Sequence, residues 1–465
     1  MRPQAARKHP SAARHTRVVV SPARRAAFDI LKRVEEEGAY AATLLATLHD
    51  EMRADDRALC NELVLGVLRR QLWLDSAIKH FSKRSVEGLD TAVRLALRLG
   101  LYQLRFLTRV PASAAVNESV NLVHAARVRS AAGLVNAVLR RAVREADYDP
   151  TANISDPIQR MAVETSHPAW LIERWGRAFG LTETEAFARA NNNPAPVAFR
   201  FTSKVPEKRG ALEELRAAGA SLDPSKLVPD AWRIRGAGDL LQRLIGEGLV
   251  YVQDEASQLV THVLGCEPGE RVLDVCAAPG SKTTHIAANT PQAFIIAGDF
   301  HQHRLQTLRQ LAITQGANIN GVVAHDGVKG LPFAPGSFDR VLVDAPCSGT
   351  GTLRHNPEIR WRITVADIIE LAARQKLILS NAAKLVRRGG KLLYSTCSIE
   401  AEENESVVQD FLKDYVDFEP VEPDWSRPKS RTLVRSDLVT RLGAVRTWPH
   451  KDDVDGFFIA AFTRV

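Results

Sequence analysis

At 465 residues, 45% hydrophobic and 25% charged, the chain has material for two or three packed domains. No apolar run approaches the roughly 18 residues of a membrane-spanning helix, and the leading MRPQAARKHPSAARHTRVVV lacks an apolar segment of the secretory type, so a cytoplasmic protein with no membrane contact is expected. The five cysteines (Cys60, Cys266, Cys276, Cys347, Cys397) are odd in number and show no C-x-x-C spacing, which argues against a disulfide framework and a zinc site; free thiols and no metal are expected.

The net charge of +8 is unevenly placed. Residues 1–25 hold seven of the 62 Lys and Arg and none of the 54 Asp and Glu, so the rest of the chain is nearly neutral. Residues 1–20 read as a basic, disordered tail: an arm that touches phosphates, a solvated leader or, third, an organellar transit peptide.

From Ser21 the pattern turns helical, opening on a Ser-Pro start signal. SPARRAAFDILKRVEEEG predicts one helix ended by Gly38. DRALCNELVLGVLRRQLWLDSAIKHF, LDTAVRLALRLGLYQLRFL, ASAAVNESVNLVHAAR and AAGLVNAVLRRAVREA follow, with apolar residues three and four apart. Residues 21–148 are thus expected to be an all-helical domain with Leu and Val stripes as core and Cys60 as a small buried apolar residue. Arg69, Arg70, Arg140 and Arg141 are candidates for a phosphate-binding face, against the plainer reading of solvated helix surface. PASAAVNESVNLVHAAR followed by GLVNAVLRR resembles the NusB-type RNA-binding domain. In these segments Asn117 and Asn136 stand out, equally readable as caps or buried hydrogen-bonding groups.

Residues 149–240 mix a helix (HPAWLIERWGRAFG), a Pro-broken loop entering a strand (NNNPAPVAFRFTS) and a second helix (KRGALEELRAAGA), the pattern of a small α/β linker module. Arg200 on that strand either faces RNA or is an edge-strand surface residue.

Residues 241–465 carry the chemistry. In GERVLDVCAAPGSKTTHIA an apolar strand, Val272 to Cys276, runs through a small-residue turn, Ala277 to Gly280, into a helix, a geometry that lets backbone N–H groups approach a ligand. Ser281 rather than Gly precedes Lys282, and Val275 lies five before Gly280, so this is not a P-loop; one glycine is too few for the dinucleotide fingerprint. FIIAGDF, GVVAHD and FDRVLVDAP predict three more strands ending in Asp299, Asp326 and Asp344, with helical segments between and after them. Together they describe a doubly wound parallel sheet, whose ligands bind at the carboxyl ends of its strands. Each aspartate alone reads as a helix cap; three in register read as a site. Cys347 follows the fourth strand and Cys397 the fifth, GGKLLYSTC, so two thiols fifty residues apart can converge on one cleft, which suggests covalent chemistry.

DVCAAPGSKT, DAPCSGTGTLRHNPEIRW and YSTCSIEAEENE resemble the successive motifs of RNA cytosine-C5 methyltransferases. With the NusB-like region they resemble the Sun or RsmB family, which methylates small-subunit (16S) ribosomal RNA. The resemblance runs from residue 22 to the C-terminus and is strongest over 271–405. It implies a Rossmann-like, S-adenosylmethionine-dependent methyltransferase domain acting on RNA, and a monomer is expected. It further implies that Cys397 attacks C6, that Cys347 assists release, and that Asp344 contacts the cytosine edge beside the methyl donor. Cys276, Ala277, Ala278, Pro279, Gly280, Ser281 and Lys282 would cradle its methionine portion, Asp299 its ribose and Asp326 its adenine. Ser281 stands where the family commonly has Gly, a change tolerated where the backbone makes the contact.

Cytosine C5 is a poor nucleophile, so its methylation needs a thiolate at C6, a hydrogen-bonding acid at the N3 edge and a base or second thiol for elimination. A methyltransferase for another position, another RNA such as tRNA or another polymer, and a non-catalytic RNA-binding, assembly or antitermination factor, are the alternatives. The acidic EAEENE after Cys397 is expected to begin a helix whose N-terminal dipole favours a thiolate while its own carboxylates oppose one. AVRTWPHKDDVDGFFIAAFTRV reads as a hairpin closing the sheet, with GFFIAAF as core and Trp448 and His450 either lining the pocket or packing.

Overall fold

The structure, a computed structural model, describes residues 20–47, 52–205, 207–421 and 436–465, and the basic tail lies almost wholly outside them. It divides into two compact units, Met1–Asn153 and Ile154–Val465.

The first unit is all-helical: Pro22–Glu36, Ala41–Ala46, Ala54–Arg69, Gln71–Ser82, Thr91–Phe106, Ala112–Ala125 and Ala132–Arg144. Asp90 starts the helix Thr91–Phe106 by accepting from the Ala92 amide, and eleven of its sixteen residues are buried, which makes it the helix the others wrap. At Gly100 a Cβ would lie 2.6 Å from Leu139 Cδ1 and 2.7 Å from Ser119 Oγ, so only glycine lets these helices approach so closely. Arg98 is a buried guanidinium held by two carboxylates: Nε and Nη2 donate to the two Asp75 oxygens at 2.7 and 2.8 Å, and Nη1 to Glu35 at 2.9 Å.

The four candidate arginines are differently placed. Arg69 is 6% exposed. Arg70 turns the chain between two helices with its guanidinium over the Phe106 ring, and Arg141 donates to Glu145 and to the His80 and Phe81 carbonyls. Arg140 is exposed, with a hydrogen bond to Asn136 Oδ1. Cys60 is buried and its thiol pushed up to about 11 by that burial, as an inert core residue would be.

The second unit holds two sheets. Strands β1 (Val197–Phe201), β2 (Ser221–Pro224), β3 (Ala231–Arg235) and β4 (Val250–Val252) pair in the order β2-β3-β1-β4, β1 being antiparallel to both its neighbours. Strand β4 extends this small sheet past residue 240. Arg200 is neither on an edge nor exposed: β1 is interior, and Arg200 is 2% exposed. Its guanidinium donates to Gln253 Oε1 (2.8 Å), the Ser281 carbonyl (3.0 Å) and Thr284 Oγ1 (3.0 Å), and stacks on Tyr251. It therefore pins the small sheet to the helix that follows the Ala277–Gly280 turn.

The large sheet contains β5 (Arg271–Asp274), β6 (Phe294–Asp299), β7 (Gly321–Ala324), β8 (Phe338–Asp344), β9 (Val386–Thr396), β10 (Phe418–Pro420), β11 (Val445–Arg446) and β12 (Phe458–Arg464). Its order is β10-β12-β9-β8-β5-β6-β7, with β11 on β12; β5 to β9 are parallel, and β12 pairs antiparallel with β9, β10 and β11. The terminal hairpin closes the sheet on β9 as expected, and Phe457 to Phe462 are all buried. Chain order reverses between β5 and β8, because β6 and β7 continue to one side and β9 to the other. Such a reversal opens a crevice at the strands' carboxyl ends.

Candidate active site

The turn after β5 is held from below. The Ala277 amide donates to the Gly298 carbonyl (2.8 Å) and the Ala278 amide to Asp299 Oδ2 (3.2 Å), while Asp299 Oδ1 accepts from the His301 amide (2.9 Å). Asp299, 6% exposed at the end of β6, thus ties the turn to its own strand. Gly280, at φ +113°, passes so close to the neighbouring helix that a Cβ would stand 2.9 Å from Leu308 Cγ. Ser281 begins the next helix, Ser281–Asn289. Burial, with the charges of Asp274, Asp299 and Asp344 behind it, pushes the Cys276 thiol well up, so it stays protonated.

Lys282 does not lie along the turn. It reaches across the crevice, 8% exposed, and donates from Nζ to Asp344 Oδ2 at 2.7 Å, while Asp344 Oδ1 accepts from Ser395 Oγ at 2.8 Å. Lys282 and Asp344 therefore join the two sides of the chain reversal. Asp326 sits differently from expectation: β7 ends at Ala324, and Asp326, two residues on, caps a turn by accepting from the Val328 amide.

A fourth carboxylate was not singled out by sequence reasoning. Asp274, 1% exposed at the end of β5, accepts from Thr283 Oγ1 on Oδ2, while its buried Oδ1 has no hydrogen-bond partner. Burial, with the nearby Asp344 charge, pushes its carboxyl up to about 7. The signal was an acid inside the otherwise apolar VLDVC. Three acidic side chains at the carboxyl ends of adjacent strands, Asp274, Asp299 and Asp344, one with an orphaned oxygen, suit a ligand that brings positive charge.

The thiols meet. Cys347 Sγ and Cys397 Sγ are 3.3 Å apart at the ends of adjacent β8 and β9. Their hydrogen bond, then burial, pushes the Cys347 thiol well above its ordinary value. The expected helix after Cys397 begins only at Glu405. Residues 398–404 instead bond inward: Asn404 Nδ2 donates to the Ser398 carbonyl, Asn404 Oδ1 accepts from Thr396 Oγ1, and Ser398 Oγ accepts from the Glu400 amide. Short polar side chains that satisfy the backbone this way compete with a helix, so residues 398–404 present no helix N-terminus to the thiol.

Trp448 and His450 pack. Trp448 stands edge-on to Phe179 at 5.0 Å, and His450 Nε2 lies 2.7 Å from Glu183 Oε1. One grouping among the described residues could hold a cation: Asp254, His355 and Asp455 bring their ligand atoms within 4.8 Å of one another.

Against this geometry, three family models match the chain: "16S rRNA methyltransferase RsmB/F" over residues 261–463, "NusB family" over 21–144, and "Methyltr_RsmF/B-like, ferredoxin-like domain" over 167–241. Two relatives bear the name "Probable ribosomal RNA small subunit methyltransferase B". That of Bacillus subtilis (strain 168) is 34% identical over 442 residues, spanning 94% of this chain and 98% of the relative. That of Synechocystis sp. (strain ATCC 27184 / PCC 6803 / Kazusa) is 38% identical over 453 residues, spanning 94% and 98%. The chain belongs to the RsmB family of ribosomal RNA methyltransferases. The solved structure of PH0851 is similar over 96% of this chain and all of that one, at 28% identity and a TM-score of 0.80. The thiols and acids at the strand ends all lie within residues 261–463, the part of the chain matched by the methyltransferase model.

Proposed function

We propose that this RNA methyltransferase transfers a methyl group from S-adenosylmethionine to C5 of a cytosine in small-subunit ribosomal RNA, through a covalent bond between Cys397 and C6. The observation that carries this reading is the 3.3 Å contact of two thiols beside a carboxylate and a lysine at the chain reversal. Methylation of an exocyclic amine would need neither thiol.

When bound, S-adenosylmethionine supplies an electrophilic methyl group and two positive charges, which the orphaned Asp274 oxygen and the carboxylates of Asp299 and Asp344 suit. The turn from Cys276 to Ser281 would hold its methionine portion, Asp299 its ribose and Asp326 its adenine. Cys397, its proton passed to solvent, adds as a thiolate to C6, and the π pair of the C5–C6 double bond moves onto C5, which becomes the nucleophile. Asp344, oriented by Lys282 and Ser395, holds the cytosine edge. After methylation a base, water in the simplest case, removes the C5 proton, the C6–S bond breaks, and its electron pair returns to Cys397. Cys347, in contact with that sulfur, donates a hydrogen bond to it as it leaves.

The test is transfer of labelled methyl from S-adenosylmethionine to unmethylated small-subunit ribosomal RNA by wild type and Cys397→Ala, with the product base identified. The expected outcome is 5-methylcytosine from the wild type and a loss of at least about a thousandfold in the variant. Label surviving in Cys397→Ala would remove the covalent step. No label on any RNA would leave an RNA-binding factor.

A further inference from the structure

The thiol loops are joined through one side chain that no motif reading singled out. Glu403 is fully buried. Its Oε1 accepts from the Ser348 amide at 2.8 Å and from Gln375 Nε2 at 2.9 Å; its Oε2 accepts from the hydroxyls of Ser348 and Ser398. Ser348 follows Cys347 and Ser398 follows Cys397, so a single carboxylate bonds the neighbour of each thiol, and the two hydroxyls also lie 3.0 Å apart. The surrounding groups hold this carboxylate in place. Gln375, on the helix Val365–Ala383, donates also to the Pro346 carbonyl just before Cys347, and Tyr394 on β9 donates to the Glu403 carbonyl at 2.6 Å and to Gln375 Oε1.

An amide N–H and a carboxamide NH₂ can only donate, and the Ser348 and Ser398 hydroxyls are placed to donate to Oε2. Burial raises this carboxyl above its ordinary value, and the four donors oppose that rise by favouring the anion. A buried anion acts strongly on its neighbours, because little water screens it.

We infer that Glu403 is a positioning residue for the two thiols: its buried carboxylate, bonded to the neighbour of each, clamps the Cys347 and Cys397 loops so that the two sulfurs stay in contact. This rests on the cytosine-C5 reading above. Cys397, Glu403 and Tyr394 are among the titratable groups that act on Cys347. With its proton retained, Cys347 serves as the hydrogen-bond donor to the departing Cys397 sulfur rather than as a second nucleophile. Glu403 thus acts on release of the enzyme, the step after methyl transfer, through Cys347.

The experiment compares wild type, Cys347→Ala, Glu403→Gln and the double variant on unmethylated small-subunit ribosomal RNA with S-adenosylmethionine. It reads steady-state turnover, KM for RNA, a protein–RNA adduct that survives denaturing gels, and the thermal melt. Glu403→Gln keeps the length and the Ser348 amide bond but removes the charge. The expected result is an adduct in Cys347→Ala and in Glu403→Gln, a fall in kcat of about tenfold in Glu403→Gln with KM unchanged, and a double variant no worse than Cys347→Ala alone. Ser348→Ala, which removes one hydroxyl donor, carries the test if Glu403→Gln does not fold; it should show the same adduct at a smaller level. A Glu403→Gln that melts lower and loses kcat with no adduct, with the loss adding to that of Cys347→Ala, would overturn the proposal and leave Glu403 a packing residue. Absence of an adduct in Cys347→Ala alongside normal methylation would instead overturn the cytosine-C5 release reading on which it rests.

Discussion

Buried charge is used in opposite ways in the two units. In the helical unit Arg98 is held by Asp75 on two nitrogens and by Glu35 on a third, so the charge is matched within the protein. At the carboxyl edge of the large sheet Asp344 is paired with Lys282, but Asp274 keeps an oxygen with no hydrogen-bond partner and a carboxyl raised to about 7. A charge satisfied internally stabilises a fold, whereas one left short of partners is available to a ligand or a reaction.

The largest expected effect sharpens that contrast at Asp274. Its folded value of about 7 lies above the ordinary 3.8, so the protonated form is favoured on folding. The stability it contributes is complete below pH ~4 and is lost as pH rises through ~7, a swing of up to about 4 kcal/mol. Asp274→Asn should therefore melt higher than wild type at pH 8 and match it near pH 4, while losing the shift in melting temperature that S-adenosylmethionine gives the wild type. A variant less stable than wild type at pH 8 would mean that Asp274 is matched after all, and the contrast would fail. The mirror experiment is Asp75→Ala, which removes two of the three carboxylate bonds of the Arg98 guanidinium and leaves it with Glu35 alone. It should destabilise that unit by about 3 kcal/mol, read by chemical denaturation, and a loss below about 1 kcal/mol would show that Arg98 escapes to water.

The same contrast explains what the sequence made legible. Patterns that repeat were readable: the three-four spacing of the helices, the strand-turn-helix at Val272 to Lys282, and acids and thiols at strand ends. What depends on a partner distant in sequence was not. Arg200 read as a surface residue because nothing in NNNPAPVAFRFTS reveals that β4 lies outside β1 or that Ser281, Thr284 and Gln253 wait for its guanidinium. Glu403 was hidden in an acidic run that resembles a helix start, since its partners Ser348 and Gln375 are 55 and 28 residues away. Lys282 was assigned by its motif to the methionine cradle, and only the fold brings it to Asp344. Asp274 could have been found, because an unpaired acid within a buried strand costs too much to be incidental.

The smallest expected effect tests the surface of the helical unit. Of its four candidate arginines, Arg69 is buried and Arg141 is bonded to backbone carbonyls, so replacing either would confuse a binding loss with a folding loss. Arg140 is exposed, and its bond to Asn136 joins two side chains one helical turn apart, a contact of small value. Arg140→Ala should leave the melt within about 0.5 kcal/mol of wild type. If this face meets phosphates, the variant binds RNA more weakly at low salt, with the slope of log affinity against log salt reduced by about one, while methyl transfer at saturating RNA is unchanged. An unchanged slope would place the RNA-binding charge elsewhere on the protein. In that case the NusB-like helices would contribute their matched interior to the fold and nothing through this arginine to recognition.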